Sequence, residues 1–151
     1  MPKQTGPLQI LAPFAGRAVG LRDVPDDVFA AGILGPGLAL WPHGEGEVCV
    51  HAPVGGTIVS WHPHACAIDA GGVGVLLHLG LETVHLQGEG FTWLVGKGDA
   101  VAAGQHIATW DVSRTRAYLP VTPVVIMDGA EIELGASGGV EQGDLLYSVL
   151  H

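Results

Sequence analysis

Imidazoles are concentrated where the sequence is otherwise apolar. WHPHACAI (Trp61 to Ile68) sets His62 and His64 two residues apart, and VLLHLG places His78 in a run that reads as a strand buried on both faces. His85 follows nearby. Such a set supports three chemistries. His62, His64 and His78 could serve as neutral nitrogen ligands to a metal. One ring could move a proton for another. One ring nitrogen could attack a phosphoryl group while a second ring steadies the transferring oxygens. The plain alternative is two core-edge histidines satisfied by backbone carbonyls. His43, His51, His106 and His151 lie in polar or strand-edge contexts and read as surface or core-edge residues.

The elements that must position these rings are short strands. Glycine (24) and proline (10) recur in turn-like groups such as GPG and GEG, which interrupt long helices but not short strands. The segment from Cys66 to Leu77 predicts a hairpin turned at AGGVG, with His64 and His78 near its two open ends and within contact range. The chain also repeats itself. APFAGRAV (Ala12 to Val19) returns as APVGGTIV (Ala52 to Val59), and VAAGQHI (Val101 to Ile107) returns as VEQGDLL (Val140 to Leu146), each at an offset of roughly 40 residues. The expected fold is all-β: an antiparallel β-sandwich or flattened barrel of two related β-units, with one or two short helical turns. DVPDDVFAAGILG (Asp23 to Gly35) and DVSRTRAYL (Asp111 to Leu119) are the candidates for those turns.

At 151 residues the chain suits one domain, read here as residues 8–151 behind a short tail of residues 1–7. Fifteen acidic against six basic residues give a formal charge of -9, which argues against a nucleic-acid partner and for a basic protein partner. Cys49 and Cys66 lie far apart and form no CxxC pair, so a reducing cytosol is expected. No apolar run approaches membrane-span length, and MPKQTGPLQ lacks a secretory pattern.

The run HLGLETVHLQGEGF, with DVPDDVF upstream and TPVV downstream, resembles the glucose-type IIA domain of the bacterial phosphoenolpyruvate-dependent sugar phosphotransferase system. These matches keep the family's order and extend from about Leu8 to the end of the chain. The resemblance implies an antiparallel β-sandwich and a cytoplasmic, monomeric phosphotransferase component. His78 would be the acceptor of a phosphoryl group from phospho-HPr. His64 would aid onward transfer to a cysteine of a IIB domain, with the membrane reached only through the permease. His78 would be oriented through Nδ1 by the carbonyl of Gly80, leaving Nε2 to attack. Val28 and Phe29 match apolar docking positions, and Asp26 and Glu82 match carboxylates facing a basic partner. No cofactor is required. Some regulatory partners of the family share a zinc ion with the two histidines, here His64 and His78.

Two positions depart from the family pattern. SWHPHA lacks the threonine that orients the first histidine, so His62 or the backbone is expected to substitute. His85 stands where an acidic residue or Gln is common. The rival reading is a zinc hydrolase of related β-fold using the HPH pair, but no histidine has the Asp four residues on that such enzymes need. A lipoyl- or biotinyl-type carrier would need an exposed hairpin-tip lysine, and Lys97 in GKGD is the wrong setting.

Overall fold

The glycine and proline spacing cuts the chain into fourteen short strands in the computed structural model, which describes residues 8–43, 46–115, 119–127 and 131–150. The expected tail, residues 1–7, lies outside the described residues. The first strands are β1 (Leu8–Leu11), β2 (Gly16–Gly20), β3 (Gly37–Pro42) and β4 (Glu47–His51). The long central ones are β5 (Gly56–His62), β6 (Ala65–Ala70) and β7 (Val73–His78). Then come β8 (Phe91–Trp93), β9 (Ala100–Val101), β10 (His106–Asp111) and β11 (Thr122–Ile126). The last are β12 (Ile132–Leu134), β13 (Gly138–Val140) and β14 (Leu145–Val149). Both candidate turns are present: α1 (Asp27–Ala30) in the first segment and a 3-10 turn over Val112–Thr115 in the second. Two further 3-10 turns span Leu21–Asp23 and Thr83–Leu86.

Every strand pairing among the described residues is antiparallel. Eight strands form one sheet in the order β13-β2-β3-β11-β7-β6-β5-β9, and two three-stranded sheets run β1-β14-β12 and β4-β10-β8. All three contribute to one apolar core that includes Ile10, Leu40, Ile58, Leu77, Ile107, Trp110 and Tyr147. The expectation of a layered all-β fold is met, but the flattened barrel is not. Each sheet ends on different strands and stays open, because its end strands do not pair with each other.

The repeats are two copies of one device. Ala12 N donates to Asp144 O and Gly143 N donates back to Ala12 O; Ala52 N donates to Gln105 O and Gly104 N donates back to Ala52 O. Each A-P segment therefore docks on one V-x-x-G turn. The copies meet where Leu11 N donates to Pro53 O and His51 N donates to Pro13 O, both at 2.8 Å. Gly16 and Gly56 open equivalent strands, and a Cβ at either would run into the carbonyl oxygen of Trp41 or Asp69.

The large sheet is covered on both faces, which explains its continuous apolar runs. Val75 and Leu77 of β7 point into the main core, whereas Leu76 packs on a second, smaller cluster of Leu21, Val24, Phe29, Ala39, Leu81, Val121 and Val125. Side chains alternate along a strand, so His78 shares the face of Leu76. That face carries the site.

Candidate functional site

The hairpin closes as the spacing predicts. Ala70 pairs with Val73 across a two-residue turn, where Gly71 and Gly72 take φ of 64° and 97°, the left-handed backbone that a tight hairpin needs. From there the register runs to Ala65 opposite His78, which brings His64 beside His78 at the open end. Their ring centroids lie 4.9 Å apart at 75°, edge to face. His62 stands farther out, exposed, with its ring 6.0 Å from that of His64.

The His78 tautomer is set by the backbone. Nδ1 lies 2.6 Å from the Gly80 carbonyl oxygen, which can only accept, so Nδ1 carries the proton and Nε2 keeps its lone pair. Burial lowers the pKa of His78, opposed by the Gly80 hydrogen bond and the Asp26 carboxylate. Burial, then the neighbouring His78 and His62, hold His64 down at about 4. The His64 ring is thus neutral near pH 7. Burial pushes the thiol of Cys66, on the adjoining strand, up to about 12, so it offers no thiolate to compete.

The carbonyl that orients His78 is itself held. Gly80 takes φ of +83°, and a Cβ there would lie 2.7 Å from Thr83 Cγ2 and 3.0 Å from Leu119 O. Glycine is the residue that fits both the backbone and the space. Buried Thr83 donates through Oγ1 to Leu79 O at 2.7 Å, closing the turn that follows His78. Leu81 N donates to Leu119 O.

Where an orienting threonine is missing before His64, no hydrogen bond joins the His62 and His64 rings among the described residues. The backbone of the loop is held instead, with no hydrogen bond to either His64 ring nitrogen among the described residues. Leu79 N donates to His64 O at 2.8 Å, and Trp93 Nε1 donates to Pro63 O at 2.8 Å, pinning the HPH loop from both sides. Thr83 and Trp93 are the positioning residues that sequence reasoning missed. Thr83 sat unremarked inside LETV, and nothing in the spacing links Trp93 to a proline thirty residues earlier.

Of the candidate partner residues, Phe29 touches the site most directly. It is buried in the second cluster, with its ring 5.4 Å from that of His78. Val28 beside it is exposed, as are Val84 and Leu119 on the neighbouring segments. Asp26 caps α1 by accepting from Val28 N at 2.9 Å and Phe29 N at 3.3 Å, which fixes the aromatic that covers His78. Glu82 is exposed, with φ of 58°. His85 is also exposed. A zinc hydrolase's donor set does not assemble: among the described residues no three His, Cys, Asp or Glu converge to hold a metal. Among them, too, no helix is long and apolar enough to cross a membrane.

Comparison with known proteins shows the family and the fold. The family model for the phosphoenolpyruvate-dependent sugar phosphotransferase system, EIIA 1, matches residues 8–132. The chain is 43% identical over 122 residues to the glucose-specific EIIA component of Halalkalibacterium halodurans, covering 78% of this chain and 69% of that protein. It is 42% identical over 130 residues to the mannose-specific EIIBCA component of Corynebacterium glutamicum, covering 82% of this chain but only 18% of that protein. Its fold is similar to that of the glucose permease IIA from Mycoplasma capricolum, with a TM-score of 0.87, 33% identity, and coverage of 98% and 99% of the two chains. The chain belongs to the EIIA 1 family and is a phosphocarrier, a phosphotransferase component of sugar transport.

Proposed function

We propose that His78 Nε2 is the phosphoryl acceptor, that phospho-HPr is the donor, and that a IIB-domain cysteine receives the group. The observation that carries this reading is the Nδ1–H bond to Gly80 O at 2.6 Å. It leaves Nε2 unprotonated and aimed away from the turn. On attack, the P–N bond to the donor's histidine breaks as the Nε2–P bond forms, and the charge left on the His78 ring is shared with Nδ1–H and its carbonyl. In the second step the IIB thiolate takes the phosphorus, and His78 returns to its neutral tautomer.

His64 acts on the oxygens. The transfer transition state spreads charge over three equatorial oxygens, so catalysis is mainly positioning and electrostatics. A neutral ring 4.9 Å from His78 is placed to donate to them, and the incoming negative charge raises its affinity for a second proton. Phe29 and the exposed Val28 keep water off the phosphohistidine and give partners an apolar surface; Asp26 and Glu82 steer a basic one. The relatives named EIIBCA and EIICBA join this unit to B and C components in one chain, which supports a IIB partner. Relatives of near-equal identity are named for mannose, glucoside, glucose and glucosamine, which supports a unit that handles phosphate while the permease reads the sugar. A monomer working in the cytoplasm completes the reading. The same two imidazoles could supply two ligands to a zinc ion whose others come from a regulatory partner.

Incubation with phosphoenolpyruvate, enzyme I and HPr tests the assignment. An acid-labile, base-stable label is expected on the wild-type chain and none on His78→Ala. Labelling that survives the substitution overturns it.

A further inference from the structure

The internal duplication pairs four positions that the two copies fill differently. Leu11 and His51 are equivalent, each preceding an A-P segment, and so are Leu145 and His106, each following a V-x-x-G turn. In the first copy β1 and β14 set Leu11 opposite Leu145, next to a register shift. In the second, β4 and β10 set His51 opposite His106, next to a register shift of the same kind. Leucine satisfies this slot once, so the fold does not itself call for imidazoles there.

The two rings also lie side by side, each with one nitrogen tied to the backbone. Their centroids lie 5.4 Å apart and their planes differ by 32°. His51 Nδ1 lies 3.3 Å from Pro13 O, and His106 Nε2 lies 3.0 Å from Ala108 O and 3.3 Å from Thr109 Oγ1. Carbonyls only accept, so each of these nitrogens carries its ring's proton. His51 Nε2 and His106 Nδ1 are then lone-pair nitrogens. A ring N–H fixed on a carbonyl, with the opposite nitrogen left basic, is the usual outer-shell arrangement of a metal-bound histidine. Both residues are partly exposed, so the slot is open to solvent.

We propose that His51 and His106 form a cross-strand binding site for a late first-row divalent metal ion, held by two imidazoles and completed by water. Imidazole pairs suit Ni2+, Cu2+ and Zn2+ over the hard cations. No third His, Cys, Asp or Glu joins them among the described residues, so the ion exchanges freely and bridges β4 to β10. The site is independent of His64 and His78 and of the phosphocarrier chemistry.

Titration with Ni2+, followed through the backbone amide signals, is the direct test. One saturable ion should broaden residues around His51 and His106 first, with Ni2+ bound more tightly than Co2+. His51→Gln and His106→Gln should each weaken this event by tenfold or more. His51→Leu/His106→Leu copies the pair the other half already accommodates, so it should fold, lose the event, and lose the rise in Tm that Ni2+ gives the wild type. Broadening confined to the His64/His78 region, no broadening at all, or binding unchanged in either Gln variant would overturn the proposal. The first two outcomes need only the wild-type protein.

Discussion

The chain carries two cross-strand imidazole pairs, His64/His78 and His51/His106, and they differ less in their local wiring than in what surrounds them. In both, a ring nitrogen is fixed on a carbonyl two residues ahead: His78 on Gly80 and His106 on Ala108. The first pair has the Phe29 ring against it, an apolar cluster behind it and a capped turn holding that cover in place. The second pair lies among strand-edge polar groups, with Thr109 within reach and the exposed Cys49 on the same strand. On the proposed roles, a fixed tautomer suits a ring to be a ligand, whereas a water-excluding cover suits it to carry a phosphoryl group. Gly80, Thr83 and Trp93 hold the backbone around the first pair, as a site proposed to keep its geometry through two transfers requires.

The largest separation of roles is expected within the first pair. His64→Gln should still accept phosphate from phospho-HPr, but pass it to IIB at least about a hundredfold more slowly, the lower range for removing one such donor. The expected asymmetry rests on the proposed donor partner supplying hydrogen-bond donors of its own to the incoming step. Rapid-quench measurement of the two half-reactions decides it, and equal loss in both would break the division of labour. His51→Gln should change neither half-reaction.

Gly80→Ala should act next most strongly. The new Cβ must displace Thr83 and the Leu119 carbonyl while adopting a left-handed φ, at a cost of about 1–3 kcal/mol. Displacing the Gly80 carbonyl frees the His78 tautomer, so acceptance should slow by roughly tenfold, the effect of about 1.4 kcal/mol on the barrier. Chemical denaturation and acceptance kinetics on one preparation check both halves. A stable, fully active Gly80→Ala would contradict the role of the carbonyl.

The pH dependence of stability is a smaller effect with a defined sign. His64 is held from its ordinary 6.5 down to about 4, so between these values the unfolded chain binds a proton that the folded chain does not. This contribution to stability is complete above pH 6.5 and is lost as pH falls toward about 4. The lowered His78 adds in the same direction. Denaturation midpoints should therefore drop across that window, and His64→Gln should flatten part of the drop. A His64→Gln profile parallel to the wild type would count against the burial argument.

The smallest effect concerns steering. Asp26→Asn keeps a good N-cap while removing charge, and Glu82→Gln changes charge alone. Together they should slow acceptance at limiting HPr by a few-fold at low salt and leave it nearly unchanged at high salt, because exposed charges are screened. A defect that persists at high salt would point to lost packing instead.

Much of the site was legible because it is local. The AGGVG turn fixes the hairpin, strand alternation then fixes which face His78 takes, and glycine two residues on marks a close backbone approach. The duplication was legible as well, since A-P-x-x-G and V-x-x-G each recur. What depended on distant contacts was not. Trp93 reaches Pro63 across thirty residues, and the cluster that covers Leu76 draws on Leu21, Val121 and Val125 from separate segments. Whether the sheets stay open, as in a sandwich, or close, as in a flattened barrel, turns on edge pairing that no single strand specifies. His51 and His106 read as surface or core-edge residues because their contact depends on register at an irregular pair, visible in neither segment alone.

Nuclear magnetic resonance of the phosphorylated chain, with histidine nitrogens and phosphorus both observed, tests the central claim most directly. A one-bond phosphorus–nitrogen coupling is expected on Nε2 of His78, with Nδ1 of the same ring still protonated and bonded to Gly80. Coupling to Nδ1 of His78, or to His64, His51 or His106, would contradict it.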